Sequence, residues 1–421
     1  MRKYHYGFAF TLLMILLPFH HAQAQKKNLT EEEKTYLKKF IYPLTTVDPD
    51  SPEISDLKLL DQLVDDSKVV ALGEVSHGSS EIYRMKDRMV RYLASHKDFR
   101  IFSLEASMPE TFLMNEYTMN GKSDPKAVLE KMGFWIWQTE EMLAAINWIR
   151  QYNEKSSDKI LFAGFDMLYT GGALDEIRKV CAANSFPQND VNQLSEILQA
   201  IKEQSNRKDG KNEITSAQKE TLADLLAHLK TSSLKIADEK EKNRFLQNLR
   251  IIEQNLDKSS VKRDFYMAQN IEWIRSQNPG AKMIVSAHNG HINTHKGKMG
   301  MYLRQDLKDD YTTFGFAFYS GHYTAYDRKS RTTGTFPAQT AYEGTAEYLL
   351  NSLDIPIFIL DLKSLKKENQ AAARWITGDK IKFRKAGSTV VPEEFAQTQI
   401  AEDFDYLIFI KESSHSKLLT P

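Results

Sequence analysis

The sequence predicts an α/β fold with a mainly parallel central sheet flanked by helices. Short apolar, β-branched runs alternate with segments in which apolar residues recur every three or four positions, as in buried strands joined by amphipathic helices. The first such run is Val69–Leu72, and it ends at Gly73. Residues from about 172 to 260 contain much Lys, Glu, Gln and Asn and few glycines or prolines, so they predict a helical excursion from the sheet.

Seven segments carry the strand pattern. They are residues 68–73, 100–104, 159–164, 282–287, 311–319, 355–360 and 405–410. The polar segment between them at 321–338 is rich in turn-forming residues, and we expect it to be a loop at the active site. The alternation of strands and helices favours one domain over residues 25–421, with a helical insert or cap at about 172–260.

Composition excludes several classes of protein. The chain has 421 residues, of which 41% are hydrophobic, and 56 basic residues balance 56 acidic ones. A formal charge of zero gives no whole-chain attraction to nucleic acid, so we expect no nucleic-acid partner. Cys181 is the single cysteine, which excludes an intramolecular disulfide framework and a cysteine-built zinc site.

The first 24 residues have the pattern of a signal peptide. Arg2 and Lys3 precede an apolar run at 8–18, and Ala22-Gln23-Ala24 fits the small-x-small cleavage pattern. We expect the mature chain to start at Gln25 and to be exported, either periplasmic or secreted. The apolar run is short for a membrane span and no cysteine follows it directly, so we expect no stable membrane anchor.

Five candidate catalytic residues follow the apolar runs. The carboxyl ends of parallel strands meet at one edge of a sheet, so polar side chains placed there share a cleft. The spacing is Glu-x-x-His after the first strand and His-x-x-His after the fourth. The candidates are Glu74, His77, Glu105, His288 and His291.

These residue types fit two kinds of chemistry. In a metal-free centre, a neutral histidine takes a proton from water while a carboxylate holds its tautomer. Alternatively, His77, His288, His291 and a glutamate bind a divalent metal ion. The spacing fits both. No Gly-x-Ser-x-Gly motif is present, so water is favoured over serine as the nucleophile.

The combined motifs resemble those of the erythromycin esterase family. They span roughly residues 69 to 295 in the order of the family. They are Gly73-Glu74-x-x-His77-Gly78 with Glu81 and Lys86, then Leu104-Glu105, then Arg263-Asp264 with Met267, Ala268 and Asn270, and finally Ala287-His288-Asn289-Gly290-His291-Ile292.

The resemblance implies hydrolysis of a macrolide lactone without a metal or other cofactor. It implies that His77 is the general base, and that Glu74 and Glu105 orient and support it. It further implies that His288 and His291 assist by polarising the ester carbonyl or protonating the leaving oxygen. Such an exported enzyme would meet a macrolide before the antibiotic reached the ribosome, which is compatible with antibiotic resistance.

The same resemblance predicts substrate-binding roles for Lys86, Arg263 and Asn289. Lys86 stands where the family often has arginine, and lysine lacks the bidentate fork of a guanidinium. This difference weakens the case for the same substrate, so the expected partner is a small-molecule ester or lactone, with a macrolide as one candidate. A non-catalytic exported protein that binds a ligand in the same cleft is the alternative outside the enzymes.

Overall fold

A central sheet positions the residues singled out above. The computed structural model describes residues 26–205, 214–257 and 259–419. The signal-peptide prediction lies outside these residues. The strands of the described part are β1 (Ile41–Pro43), β2 (Val69–Leu72), β3 (Phe99–Ser107), β4 (Leu161–Asp166), β5 (Lys282–Ser286), β6 (Tyr311–Asp327), β7 (Thr332–Pro337), β8 (Ile357–Asp361), β9 (Ile381–Arg384), β10 (Phe395–Thr398) and β11 (Tyr406–Ser413).

The strand order confirms a mainly parallel sheet. The order is β1-β8-β11-β6-β2-β5-β3-β4, and β7 pairs with β6. From β11 to β4 every neighbouring pair is parallel. The antiparallel pairs of this sheet are β1 with β8, β8 with β11 and β6 with β7, while β9 and β10 form a separate antiparallel pair. The carboxyl ends of β2, β5, β3 and β4 therefore lie side by side at one edge.

Helices cover the sheet and connect its strands. None in the described part of the chain is long and apolar enough to cross a membrane. The helices are α1 (Glu31–Leu37), α2 (Leu60–Val64), α3 (Ser80–His96), α4 (Phe112–Asn120), α5 (Pro125–Lys131), α6 (Glu140–Lys155), α7 (Gly171–Ala183), α8 (Gln188–Ser205), α9 (Ser216–Ser233), α10 (Glu239–Leu256), α11 (Ser260–Gln277), α12 (Asn289–Ile292), α13 (Met299–Leu307), α14 (Ala346–Asn351), α15 (Leu362–Glu368), α16 (Arg374–Thr377) and α17 (Ile400–Asp403).

Both faces of the sheet are apolar and buried. In β2, Val69 and Ala71 belong to one hydrophobic cluster, while Val70 and Leu72 belong to another. This alternation follows from the two-residue period of a strand, whose successive side chains point to opposite faces. A parallel strand covered on both faces is apolar throughout. Strand β2 therefore presents polar side chains to a site only beyond its end.

In the described part of residues 172–260, the helices confirm the predicted helical excursion and share the main core. Helices α7 to α10 and the start of α11 lie between β4 and β5 in the chain. Their buried residues Ile177, Leu194, Leu229 and Leu249 belong to the same hydrophobic cluster as Val69 of β2. The insert is therefore packed onto one face of the sheet. Its description as a cap within a single domain over 25–421 stays a prediction.

The segment 321–338 is a hairpin, and the prediction of an active-site loop there is wrong. Strand β6 continues to Asp327, and β7 pairs with it antiparallel. Tyr323 and Ala325 are 1% and 0% exposed, which places them in the core. Strand β7 has little apolar pattern of its own, so pairing with β6 determines its structure.

Candidate active site

The turn between β2 and α3 presents Glu74 and His77 at the carboxyl edge of the sheet. A side chain at Gly78 would place its Cβ 1.9 Å from the carbonyl oxygen of Thr324, so only glycine fits where the turn meets β6. Helix α3 then packs on the sheet through Ile82 and Met85, both fully buried. The local sequence therefore fixes the direction in which this turn points.

Glu105 and His288 reach the same place from neighbouring strands. Strand β3 runs to Ser107, so Glu105 lies within the strand and not after its end. The His288 backbone N–H donates to Glu105 Oε2 at 2.9 Å. His288 precedes α12, and its ring lies 5.1 Å from the ring of His77. The fifth candidate, His291, lies 3.2 Å from Glu105 through Nε2 and Oε1. The structure thus brings all five predicted catalytic residues together.

His77 faces a carboxylate that a buried lysine neutralises. His77 Nδ1 lies 3.1 Å from Glu74 Oε1, although the angle falls outside hydrogen-bond geometry. Lys86 Nζ donates to the other oxygen, Glu74 Oε2. Burial would raise the pKa of Glu74, but Lys86 and His77 outweigh burial and lower it. Glu74 is therefore an anion held against the imidazole of His77.

His288 is held as a neutral imidazole. Its Nδ1 accepts a hydrogen bond from the Gly290 N–H at 3.0 Å, and its Nε2 lies 3.4 Å from the Val75 carbonyl oxygen. These partners assign the proton to Nε2. Burial, and next the neighbouring His77, lower the pKa of His288 to about 4. A neutral ring beside His77 adds no repulsion when His77 gains a proton.

His291 is held as a cation between two carboxylates. Its Nδ1 lies 2.8 Å from Asp264 Oδ1, and its Nε2 faces Glu105. Burial would lower the pKa of His291, but Glu105 and Asp264 outweigh burial and raise it to about 9. The Met299 N–H also donates to Asp264 Oδ1 at 3.0 Å, which fixes that carboxylate.

Arg263 joins two of the strands to helix α11. Its Nη2 donates to Glu105 Oε1 at 2.8 Å and to Asp166 Oδ2 at 2.6 Å. Its Nη1 lies 3.2 Å from His291 Nε2. Burial would raise the pKa of Glu105, but His291 and Arg263 outweigh burial and hold that pKa well below its usual range. Glu105 is therefore an anion with two cationic partners.

Sequence reasoning missed Asp166 and Asp264 as site residues. Both are 1% exposed, and each holds a cation of the site. Asp166 is the last residue of β4, so it has the same strand-end position as the predicted candidates. Asp264 shares helical spacing with the buried Met267 and Ile271. An acidic residue on an apolar helix face was the signal that could have identified it.

The three predicted substrate-binding residues all make internal contacts. Asn289 Nδ2 donates to the Phe316 carbonyl at 2.8 Å, and its Oδ1 accepts from the Phe316 N–H at 3.1 Å. Lys86 lies against Glu74 and is 3% exposed, whereas the Arg263 side chain is 21% exposed. The geometry gives each a positioning interaction, and a direct substrate contact stays a prediction.

The site offers a metal ion fewer donor side chains than the metal-binding alternative, with three histidines and a glutamate, requires. Glu74, His77 and Glu105 each offer one donor atom, and these atoms lie within 4.8 Å of one another. The ring nitrogens of His288 and His291 already face other groups of the protein. The arrangement therefore does not form the cluster of three histidines and a glutamate that the metal alternative requires.

The fold and site define an α/β protein with a histidine–carboxylate centre at the carboxyl edge of a parallel sheet. The chain belongs to the erythromycin esterase family, whose model, described as erythromycin esterase, matches residues 94–413. The match begins after the turn that contains Glu74 and His77. The assignment of these two residues to the site is therefore supported by the geometry described above and not by the family match.

The names of two relatives agree with assignment of the chain to the hydrolases. The chain is 24% identical over 408 residues to the putative hydrolase YbfO of Bacillus subtilis, covering 87% of this chain and 89% of the relative. It is also 24% identical over 408 residues to the erythromycin esterase type II of Escherichia coli, covering 86% and 94%.

Solved structures share the fold. A Bacillus cereus protein superposes with a TM-score of 0.79 and 24% identity, covering 92% of this chain and 99% of that one. A variant of the erythromycin esterase EreC in its open conformation gives a TM-score of 0.69 with 18% identity, covering 90% and 99%. These similarities confirm the mainly parallel α/β architecture.

Proposed function

We propose that this protein hydrolyses a carboxylic ester or lactone with water activated by His77, without a metal ion. One observation carries the proposal: His77 Nδ1 lies 3.1 Å from Glu74, and Lys86 holds the other oxygen of that carboxylate. A histidine beside a fixed anion is an arrangement that general base catalysis uses. Membership of an esterase family supports the same reaction class.

The proton transfers follow from the tautomer of His77. When Nδ1–H points toward Glu74, Nε2 has the lone pair that takes a proton from water. The water oxygen bonds to the ester carbonyl carbon, and the carbonyl π electrons move to its oxygen. The intermediate then collapses, the bond to the alkoxy oxygen breaks, and the His77 imidazolium returns the proton to that oxygen. Ester and water become acid and alcohol.

Arg263 and His291 supply positive charge to this reaction. Both face Glu105, and their side chains are 21% and 17% exposed, so they are more open than Lys86. Fixed cations near a developing oxyanion lower its energy without reorganising during the reaction. We assign them electrostatic stabilisation of the intermediate. His288 stays neutral between the two histidines, which limits repulsion against the His77 imidazolium.

We propose a small ester or lactone as the substrate class and retain macrolides as specific candidates. Export to the periplasm or medium, proposed from the N-terminal pattern, would place the enzyme where external esters arrive. The 24% identity to an erythromycin esterase supports including macrolides in a substrate panel.

The test is a mass-spectrometric hydrolysis assay. Chain 25–421 is incubated with macrolides and simple esters, with and without a chelator, beside His77→Asn and the matched control His228→Asn. His228 is exposed on α9. We expect a water-addition product that survives chelation, persists in His228→Asn and disappears in His77→Asn. A product that His77→Asn forms at the wild-type rate would refute the proposal.

A metal-dependent hydrolase is the second candidate, because Glu74, His77 and Glu105 place donor atoms within 4.8 Å of one another. In that case the ion would activate the water and compete with Lys86 for Glu74. The chelation arm of the assay separates the two. Activity that is lost on chelation and restored by added zinc would select the metal-dependent reaction.

A further inference from the structure

A second recognition element lies directly beside the proposed catalytic residues. A cavity of about 340 Å³ is lined on one side by the turn that follows β5, which includes His288, Asn289 and Gly290. Its lining also includes Phe383 of β9 and Thr398 of β10. This volume lies at the lower end of the range for small-molecule pockets, so it suits one arm of a substrate and not a whole macrolide.

The lining of this cavity is rich in basic side chains. They are His295, Lys298, Lys380, Arg384 and Lys385. Two of them are engaged: Arg384 Nη1 pairs with Glu394, and Lys298 Nζ lies 3.7 Å from Asp264 Oδ2. Lys380 and Lys385 are both exposed on the rim. Their ammonium groups are therefore accessible to a ligand that enters the cavity.

Asp403 is the acidic member of the described lining. It is 7% exposed, and its Oδ2 accepts a hydrogen bond from Thr398 Oγ1 at 2.6 Å. Burial raises its pKa, while the nearby charges of His295 and Lys385 oppose that shift. Asp403 is thus buried and hydrogen-bonded, whereas Lys380 and Lys385 are exposed. The charge that a ligand meets at the rim is positive.

We propose that this cavity binds an anionic group of the substrate, a carboxylate or a phosphate, so that the enzyme prefers esters with a negatively charged arm. The inference rests on the proposed function and specifies its substrate class. His288 connects the two sites, because it lines the cavity and its ring lies 5.1 Å from that of His77. An ester carbonyl beside His77 can therefore extend a short arm past His288 toward Lys380 and Lys385.

Matched substrates and matched variants test this proposal. The mono-p-nitrophenyl ester of glutaric acid is compared with p-nitrophenyl valerate, which has the same length and no charge. A third ester ends in a phosphonate. The double variant Lys380→Gln with Lys385→Gln is compared with Lys363→Gln with Lys367→Gln, which changes the net charge equally at exposed positions of α15.

We expect the wild type to have a higher kcat/KM for an anionic ester than for valerate. In the Lys380/Lys385 variant the ratio of these two kcat/KM values should fall about tenfold. The Lys363/Lys367 control should keep the wild-type ratio. Added salt should reduce the preference, since ions screen exposed charges. The glutarate and phosphonate arms show which oxyanion is preferred. Turnover with no charge preference would overturn this inference and leave the proposed function intact.

A binding measurement separates the two proposals when no ester is turned over. Glutarate and inorganic phosphate are titrated calorimetrically into the wild type and both double variants. Binding that the Lys380/Lys385 variant alone loses would support the cavity while the proposed function fails. Absence of both turnover and binding would overturn both proposals.

Discussion

The two ends of the histidine cluster differ in how firmly their charge is fixed. At one end His77 lies 3.1 Å from Glu74, which Lys86 already neutralises, and a Glu105 oxygen is within 4.8 Å. At the other end His291 lies between Glu105 and Asp264, and two carboxylates hold it as a cation. The first arrangement is that of the proposed general base. The second resists any change of charge, so it suits electrostatic stabilisation.

His288 separates these two ends. Its own N–H and ring nitrogens face Glu105, Gly290 and Val75, so it is tied to the backbone and to the acidic network. Its pKa, lowered to about 4, makes it neutral in the working range of most enzymes. Three histidines that look equivalent in the sequence thus divide into the proposed base, a neutral spacer and a cation.

The largest expected effect is the loss of activity on replacing His77. His77→Asn should reduce kcat/KM by about 100- to 10,000-fold, because general base catalysis contributes that much. Its urea unfolding midpoint should stay near that of wild type, since asparagine keeps a polar group beside Glu74. Steady-state kinetics and unfolding of the same preparation check this. An activity within a factor of about two of the His228→Asn control would contradict the assigned role.

Replacement of Arg263 removes a cation from the His291 end of the cluster. Arg263→Ala leaves Glu105 and Asp166 buried without that cation, so unfolding free energy should fall by about 3–5 kcal/mol. The control is Arg178→Ala, whose ion pair with Asp175 lies on the exposed surface of α7 and should contribute little. Chemical denaturation measures both. Equal stabilities of the two variants would show that the network does not stabilise the fold.

The pH dependence of stability tests whether His291 is a cation. The pKa of His291 is raised to about 9 from an ordinary 6.5, so its contribution is fully present below pH 6.5 and is lost as pH rises through 9. By linkage this amounts to at most about 3 kcal/mol. The difference in unfolding free energy between wild type and His291→Asn should narrow across that window. A difference that stays constant with pH would contradict a cationic His291.

The smallest effect concerns Asn289, which holds β6 to the turn after β5. Asn289→Ala leaves the Phe316 N–H and carbonyl without these partners and should lower stability by about 1–2 kcal/mol. A positioning residue changes kcat through the displaced turn more than it changes KM. A raised KM with unchanged stability would instead support the predicted substrate contact.

The sequence predicted the strands that are apolar throughout and missed those that are not. Strands β2 and β5 lie within about one residue of their predicted bounds, because buried parallel strands are uninterrupted apolar runs. Strand β1 has three residues, and β10 is half exposed. Strand β7 is largely polar and depends on β6. Partner strands, which sequence patterns do not show, determine these elements.

Prediction of the site from sequence was also limited to features that do not depend on tertiary partners. Glu74 and His77 could be identified because a strand end places polar groups at the cleft. The contact of Arg263 with Asp166 could not, since it depends on how α11 packs against β4. The different charges of His288 and His291 also depend on burial and neighbours. Sequence therefore gives the three histidines and two glutamates of the cluster, and tertiary structure adds Asp166 and Asp264 and determines the charges.

Histidine-selective ¹⁵N NMR across a pH titration tests the central division of roles most directly. Signals of ¹⁵N-histidine protein are assigned with the variants His288→Asn and His291→Asn. We predict that His291 is protonated on both nitrogens at neutral pH and loses a proton near pH 9, while His288 stays neutral with its proton on Nε2 down to about pH 4. A neutral His291 or a cationic His288 at neutral pH would contradict the account.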